Sequence, residues 1–180
     1  MEQIPSDPVP QLCDRVVLRR LTITDLPSFQ AYRHDSRVGL YQSWKPLSDL
    51  EASRFITEMS RVPLFPRGQW VQLAIADRAT NALIGDVGIC VAEDHATAEI
   101  GFTLSVPAQG VGLGTEAVRS VIALVFDHAP VGRIVAVTDT RNLPSIRLLE
   151  RVGMRRTETV ATVFQGEPCM EHIYVTLREA

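Results

Sequence analysis

The chain has 180 residues, 46% of them hydrophobic, enough to bury one good-sized core and to predict a single domain. Eighteen basic against 21 acidic residues leave a formal charge of −3 with no block of like charge, which argues against a nucleic-acid-binding stripe and any other polyanionic partner. No apolar run is long enough to span a bilayer, and MEQIPSDPVPQL carries prolines where a secretory leader needs an apolar helix, so a soluble, cytoplasmic protein with no membrane partner is expected.

Pro5, Pro8 and Pro10 each fix φ and remove a donor, so residues 1–13 read as an extended, mobile arm ahead of a domain over 14–180. RVVLRRL (15–21) predicts a first strand, and Thr24-Asp25 opens a helical pattern. A second helix starts at Ser48-Asp49, with Ala52, Phe55, Ile56 and Met59 on one face. The period then changes. WVQLAIAD (70–77), ALIGDVGICV (82–91) and TAEIGFTLSV (97–106) read as three successive antiparallel strands. From Thr115 a helix apolar around most of its circumference runs to Asp127-His128, where Pro130 and Gly132 stop it. RIVAVT (133–138) is a short buried strand, and NLPSIRLLERVG (142–153) a helix capped by Asn142 with Gly153 past its end. RRTETVATVFQ and CMEHIYVTL form a final hairpin around Gly166-Glu167. The strand-helix-strand-helix order in the middle implies one parallel pair within an otherwise antiparallel sheet, an α/β (α+β) fold.

The cysteines, Cys13, Cys90 and Cys169, are odd in number, far apart and without metal-ligand spacing, so neither a disulfide framework nor a metal site is expected. His34, His95, His128 and His172 are isolated, with no Ser-His-Asp or H-x-x-x-H pattern among them. PAQGVGLGTEA (107–117) is different, with glycines at alternate positions 110, 112 and 114 ahead of a helix. The first amides of a helix have no intrahelical partner, and their dipoles present positive charge, so a phosphate can be held by backbone alone. The alternative is a turn that is merely rich in glycine. The dinucleotide fingerprint fails because the sixth position counted from Gly110 is Thr115, and the triphosphate loop fails because no lysine is present. A pyrophosphate without a catalytic metal, as in coenzyme A, fits a loop made only of amides.

Gln109-x-x-Gly112-x-Gly114 resembles the Q/R-x-x-G-x-G/A acetyl-CoA signature of the GNAT superfamily of N-acetyltransferases. EIGF (99–102), TEA (115–117), NLPSIRLLERVGM (142–154) and VLRRLTITD (17–25) are similar to its RimJ/RimL branch, which acetylates ribosomal-protein N-termini, and together they cover residues 15–177. The resemblance implies a GNAT fold: a mixed, mostly antiparallel sheet of about six to seven strands flanked by about four helices. Its parallel strands, here 97–106 and 133–138, splay so that pantetheine pairs with free backbone groups near Thr103 and Leu104. Gln109, Gly110, Val111, Gly112, Leu113, Gly114 and Thr115 would hold the pyrophosphate, and Asn142 would contact the pantetheine arm or serve only as an N-cap. The implied reaction is direct transfer of acetyl from acetyl-CoA to a primary amine of a protein N-terminus, aminoglycoside, polyamine or small metabolite. Ser145 occupies the position of the branch's serine beside the thioester sulfur, where it would donate to the departing thiolate; the other reading is a first-turn helix serine. Glu99 is the leading base and Glu171 the second, each otherwise a solvated strand residue. Acceptor specificity would lie in 35–67 and 164–170, where Trp44, Phe65 and the neighbouring Trp70 line the groove or simply pack. Glu51, Glu93, Asp94 and Glu167 would draw a cationic amine or only solvate the surface. Dimerisation is common among relatives. The competing class is a non-catalytic acetyl-CoA sensor or scaffold of the same fold.

Overall fold

The computed structural model describes residues 7–179, organised around one eight-stranded sheet. The strands are β1 (Gln11–Leu12), β2 (Val16–Arg19), β3 (Trp70–Asp77), β4 (Leu83–Val91), β5 (Thr97–Leu104), β6 (Arg133–Asp139), β7 (Arg155–Phe164) and β8 (Glu167–Leu177). They lie in the order β1-β2-β3-β4-β5-β6-β8-β7, and every neighbouring pair is antiparallel except β5 with β6. The helices are α1 (Leu26–Arg33), α2 (Ser36–Gly39), α3 (Asp49–Met59), α4 (Leu113–His128) and α5 (Leu143–Arg151). None is long and apolar enough to cross a membrane.

The mixed α/β architecture with one parallel pair is the expected one, and the differences are local. The eighth strand is β1, two residues of the predicted arm that pair with Leu18 and Val17 of β2. Val9 is buried and Asp7 forms an ion pair with Arg20, so the arm beyond residue 6 is tied to the body; residues 1–6 lie outside the described part. The fifth helix is the single turn α2, whose Asp35 cap accepts the Arg37 N–H. A 3-10 turn, Ile23–Asp25, leads into α1 where a continuous helix start was expected. β5 stops at Leu104, two residues short of the expected end, because Pro107 sits in a 3-10 turn over Val106–Ala108.

Each long element follows its pattern. Ser48 and Glu51 form a reciprocal capping box that starts α3, and Ala52, Ile56 and Met59 are its buried face, with Phe55 packed at its margin. The β7–β8 hairpin closes in two residues, Gln165 and Gly166, both at positive φ (52° and 86°), the geometry of a type I′ loop that matches strand twist. Alternation along the strands gives the sheet two faces. Ile89, Ile100, Phe102 and Leu104 point to the side of α4 and α5, where the Tyr174 hydroxyl donates to Glu150 of α5. Asp86 and Thr103 point to the other side, beneath α1 and the segment that follows it.

Candidate active site

The last strand residues, a 3-10 turn and a helix start build the phosphate-type loop. Gly110 and Gly112 have φ of +75° and +88°, a region that L side chains rarely adopt, and Gly112 is the N-cap of α4 with no side chain to offer. The first helical bond here runs from the Glu116 N–H to the Gly112 carbonyl (3.2 Å), so the N–H groups of Leu113, Gly114 and Thr115 precede the ladder and project from the helix start. The helix thus begins two residues before the expected Thr115, and Gly114 lies within it. Its role is packing rather than a special φ: a Cβ there would stand 2.6 Å from Leu104 Cδ1 and 2.9 Å from Leu148 Cδ1. Gln109 folds back and donates to the Leu104 carbonyl (2.9 Å), pinning the turn to the end of β5.

Arg15 braces this loop and was not singled out from the sequence, where it reads as an ordinary strand-edge cation. Its Nη1 donates to the Val111 carbonyl (2.9 Å) and its Nε to Glu116 (3.0 Å), while Glu116 also accepts the Arg15 main-chain N–H (2.6 Å). Burial opposes ionisation of Glu116, but the main-chain and side-chain hydrogen bonds from Arg15 together with that from Val16 outweigh it, and the carboxyl titrates below its ordinary range. The result is a loop of free amides with a fixed guanidinium beside it, which fits a diphosphate.

The parallel pair opens next to this loop. Its ladder holds only Thr97↔Arg133, Ala98↔Ile134 and Glu99↔Val135, although β5 runs on to Leu104 and β6 to Asp139. The Thr103 carbonyl faces β4, 2.2 Å from where a Cβ on Gly85 would lie, so alternation turns the main-chain groups of Phe102 and Leu104 away from β4. Leu104 therefore has the orientation expected of a residue that pairs with an inserted chain. Thr103 does not; its contribution is a hydroxyl that receives the Trp44 indole N–H (3.4 Å). Phe102, absent from the expected set, accepts from Gln42 Nε2 (3.3 Å).

Across the opening, α5 presents its first turn. Asn142 Oδ1 accepts the Ser145 N–H (3.4 Å), so the N-cap role is filled while the amide nitrogen remains available, and both side chains are half-buried. Glu99 lies on the α1 side of β5, opposite Cys90 of β4 and Val135 of β6. Glu171, in register with Asp139, approaches it from β8. Protein atoms crowd the Glu99 carboxyl while one side stays open to water, and the charge of Glu171 adds to this desolvation; both raise its pKa above the ordinary glutamate value. Burial first, then Glu99 and Glu93, raise the Cys90 thiol, which keeps it protonated and poorly nucleophilic.

A buried polar knot holds the roof. Arg33 and Tyr32 both bind the Asp86 carboxylate, and the Arg33 guanidinium lies 4.3 Å from the Trp44 ring and 4.7 Å from the Phe29 ring. Trp44 thus packs and also hydrogen-bonds, Phe65 packs at the core margin, and Trp70 stands on β3 with its ring against Gly88. Glu51 is engaged in the α3 capping box. Among the described residues no group of histidine, cysteine, aspartate and glutamate side chains has metal-holding geometry.

The family model described as "Acetyltransferase (GNAT) domain" matches residues 15–155. An uncharacterized N-acetyltransferase, p20, of Bacillus licheniformis is 28% identical over 144 residues, covering 79% of this chain and 80% of that protein. A GNAT-family acetyltransferase from Bacillus anthracis superposes with a TM-score of 0.81 at 21% identity, over 92% of this chain and 96% of the other. RimL, a ribosomal L7/L12 α-N-protein acetyltransferase solved with coenzyme A, superposes at 0.78 with 15% identity, over 93% and 97%. The glycine turn, the opened parallel pair and the domain match agree, and the chain belongs to the GNAT family of acetyltransferases.

Proposed function

We propose that this protein transfers an acetyl group directly from acetyl-CoA to a primary amine. The observation that carries the reading is the opened β5–β6 pair ending at a loop of free amides braced by Arg15. Leu113, Gly114, Thr115 and the turn from Gln109 to Gly112 hold the diphosphate. The main chain of Phe102 and Leu104 pairs with the pantetheine arm, and the Asn142 amide reaches its other side. RimL and the microcin C7 immunity acetyltransferase MccE were solved with coenzyme A and with acetyl-CoA and AMP, respectively, which supports the same ligand here.

The amine must lose a proton, the carbonyl carbon passes through an oxyanion, and the thiolate must be protonated. Glu99 takes the amine proton, directly or through water; its raised pKa makes it a stronger base than a free glutamate. Ser145, in the first turn of α5, donates to the departing sulfur. A thiol of pKa about 8.5 leaves fairly well unaided, so this donor accelerates rather than enables the step. Main-chain N–H groups beside the opening serve the oxyanion.

Thiol release from acetyl-CoA across a panel of amines tests the reading. Gly110→Asp sets a carboxylate among the amides with nothing within 4 Å of its Cβ, and Gly110→Asn, which puts the same strain on a backbone at φ +75°, is its control: the acetyl-CoA KM of the Asp variant exceeds that of the Asn variant about tenfold or more, a charge repulsion of about 1.4 kcal/mol. Ser145→Ala lowers kcat by ~10²–10⁴ at unchanged acetyl-CoA affinity. Acetyl-CoA binding indifferent to Gly110→Asp removes the loop from the mechanism, and binding without turnover of any amine favours a sensor.

A further inference from the structure

Glycines in the two faces of the sheet differ in what a side chain would meet. A Cβ at Gly85 would lie 2.2 Å from the Thr103 carbonyl oxygen, and one at Gly88 would lie 2.7 Å from Gln72 Nε2 and 3.0 Å from the Trp70 ring. Packing accounts for both. At Gly101 a Cβ meets nothing within 4 Å, and φ is not in the left-handed region. An interior strand glycine weakens its strand, and where neither sterics nor a positive φ requires it, close approach by a ligand is one physical reason for it.

Its surroundings say which ligand. Gly101 is the cross-strand partner of Gly88 and lies between Glu99 and Thr103 on the α1 side of β5, about 7 Å along the strand from each. It shares the main-chain orientation of Thr103, toward β4, so it is not part of the edge assigned to pantetheine. Trp70, 41% exposed, and the bare Gly101 backbone make a narrow strip, with the Gln72 amide over Gly88 at its edge. Asp86 is neutralised by Arg33 and Asp139 by Arg141, whereas Glu99 and Glu171 have no ion-pair partner among the described residues. A narrow strip bordered by an exposed indole and leading to two uncompensated carboxylates matches a cation on a slim, unbranched chain.

We propose that Gly101 is a specificity-determining residue and that the acceptor is an unbranched primary alkylammonium, its chain lying across the Gly101 backbone and its nitrogen drawn to Glu99 and Glu171. This rests on the transferase reading above. The test compares cadaverine and Nα-acetyllysine with peptides bearing a free N-terminal serine or alanine, all at saturating acetyl-CoA. The alkylamines turn over with kcat/KM about tenfold or more above the peptides. Gly101→Ala and Gly101→Val raise the alkylamine KM stepwise, by about tenfold or more at valine, because the added methyls occupy the strip. The acetyl-CoA Kd stays within about twofold and the melting temperature does not fall, since valine suits a strand better than glycine. Preference for the peptides, an alkylamine KM indifferent to valine, or acetyl-CoA binding without acetylation of either alkylamine overturns this proposal and leaves the cofactor site standing. A wild-type protein that fails to bind acetyl-CoA overturns both readings together.

Discussion

Glu99 is a carboxylate held where ionisation is disfavoured, and that conflict links its chemistry to stability. The folded chain binds its proton more tightly than the unfolded chain does, so stability is greatest below the ordinary glutamate pKa of about 4.3 and is lost as pH rises through the raised folded value. Glu99→Gln removes the conflict. The urea midpoint of the variant at pH 7 should exceed that of the parent, with the gap shrinking toward pH 4. Activity should move the other way. A lysine-like amine of pKa about 10.4 is neutral in under a thousandth of molecules at pH 7, so loss of a positioned base lowers kcat/KM by ~10² or more and moves the acidic limb of the pH–rate profile up toward the pKa of the amine. A variant that is less stable at pH 7, or whose acidic limb stays where the parent's lies, would show that Glu99 is an ordinary solvated residue. Cys90, facing the same carboxylate, is held as a thiol, which suits direct transfer rather than an acetyl-cysteine intermediate.

The start of α4 shows how opposing effects on one element are weighed. Alanine is a better helix former than glycine by about 1 kcal/mol, which alone would favour Gly114→Ala. Its Cβ, however, would sit 2.6 Å from Leu104 Cδ1 and 2.9 Å from Leu148 Cδ1, and overpacking of this kind costs about 1–3 kcal/mol. Packing wins: the variant should lose about 1 kcal/mol in urea unfolding, and a stability gain would mean that the two leucines move aside freely. The same residue marks what was legible beforehand. The alternating glycines disclosed a helix N-terminus, but a glycine inside a helix and one in a loop look alike until the neighbouring leucines are in place. Arg15 lies about a hundred residues from the Val111 carbonyl that it binds. No local pattern encodes that pairing, nor the Gln42 contact with Phe102. Periodicity revealed α3, β3, β4 and the final hairpin because their signals are local; β1 escaped because two residues make no period, and its pairing depends on β2.

At the scale of the molecule, the sheet is two blocks, β1 to β5 and β6 to β8, sharing a ladder of three residue pairs. Packing of α4 against β2, β5 and α5, and of α5 against β6, adds a further tie between them. A ligand that lies between Leu104 and β6 while gripping the start of α4 bridges the blocks, and only the native state offers that bridge. At a concentration of 100 times its Kd such a ligand adds about 2.7 kcal/mol to stability. For a chain of this size each kcal/mol corresponds to about 2–4 °C, so acetyl-CoA should raise the melting temperature by about 5–10 °C. Hydrogen exchange then locates the bridge. The amides of Phe102, Leu104 and Leu113 through Thr115 should slow on addition of acetyl-CoA, because each gains an acceptor or loses access to water. The hairpin turn at Gln165 and Gly166 lies beyond the last residues of β8 that pair with β6 and should exchange as before. Slowing at that turn with none along the β5 edge would place the ligand elsewhere and separate the opened strands from the chemistry.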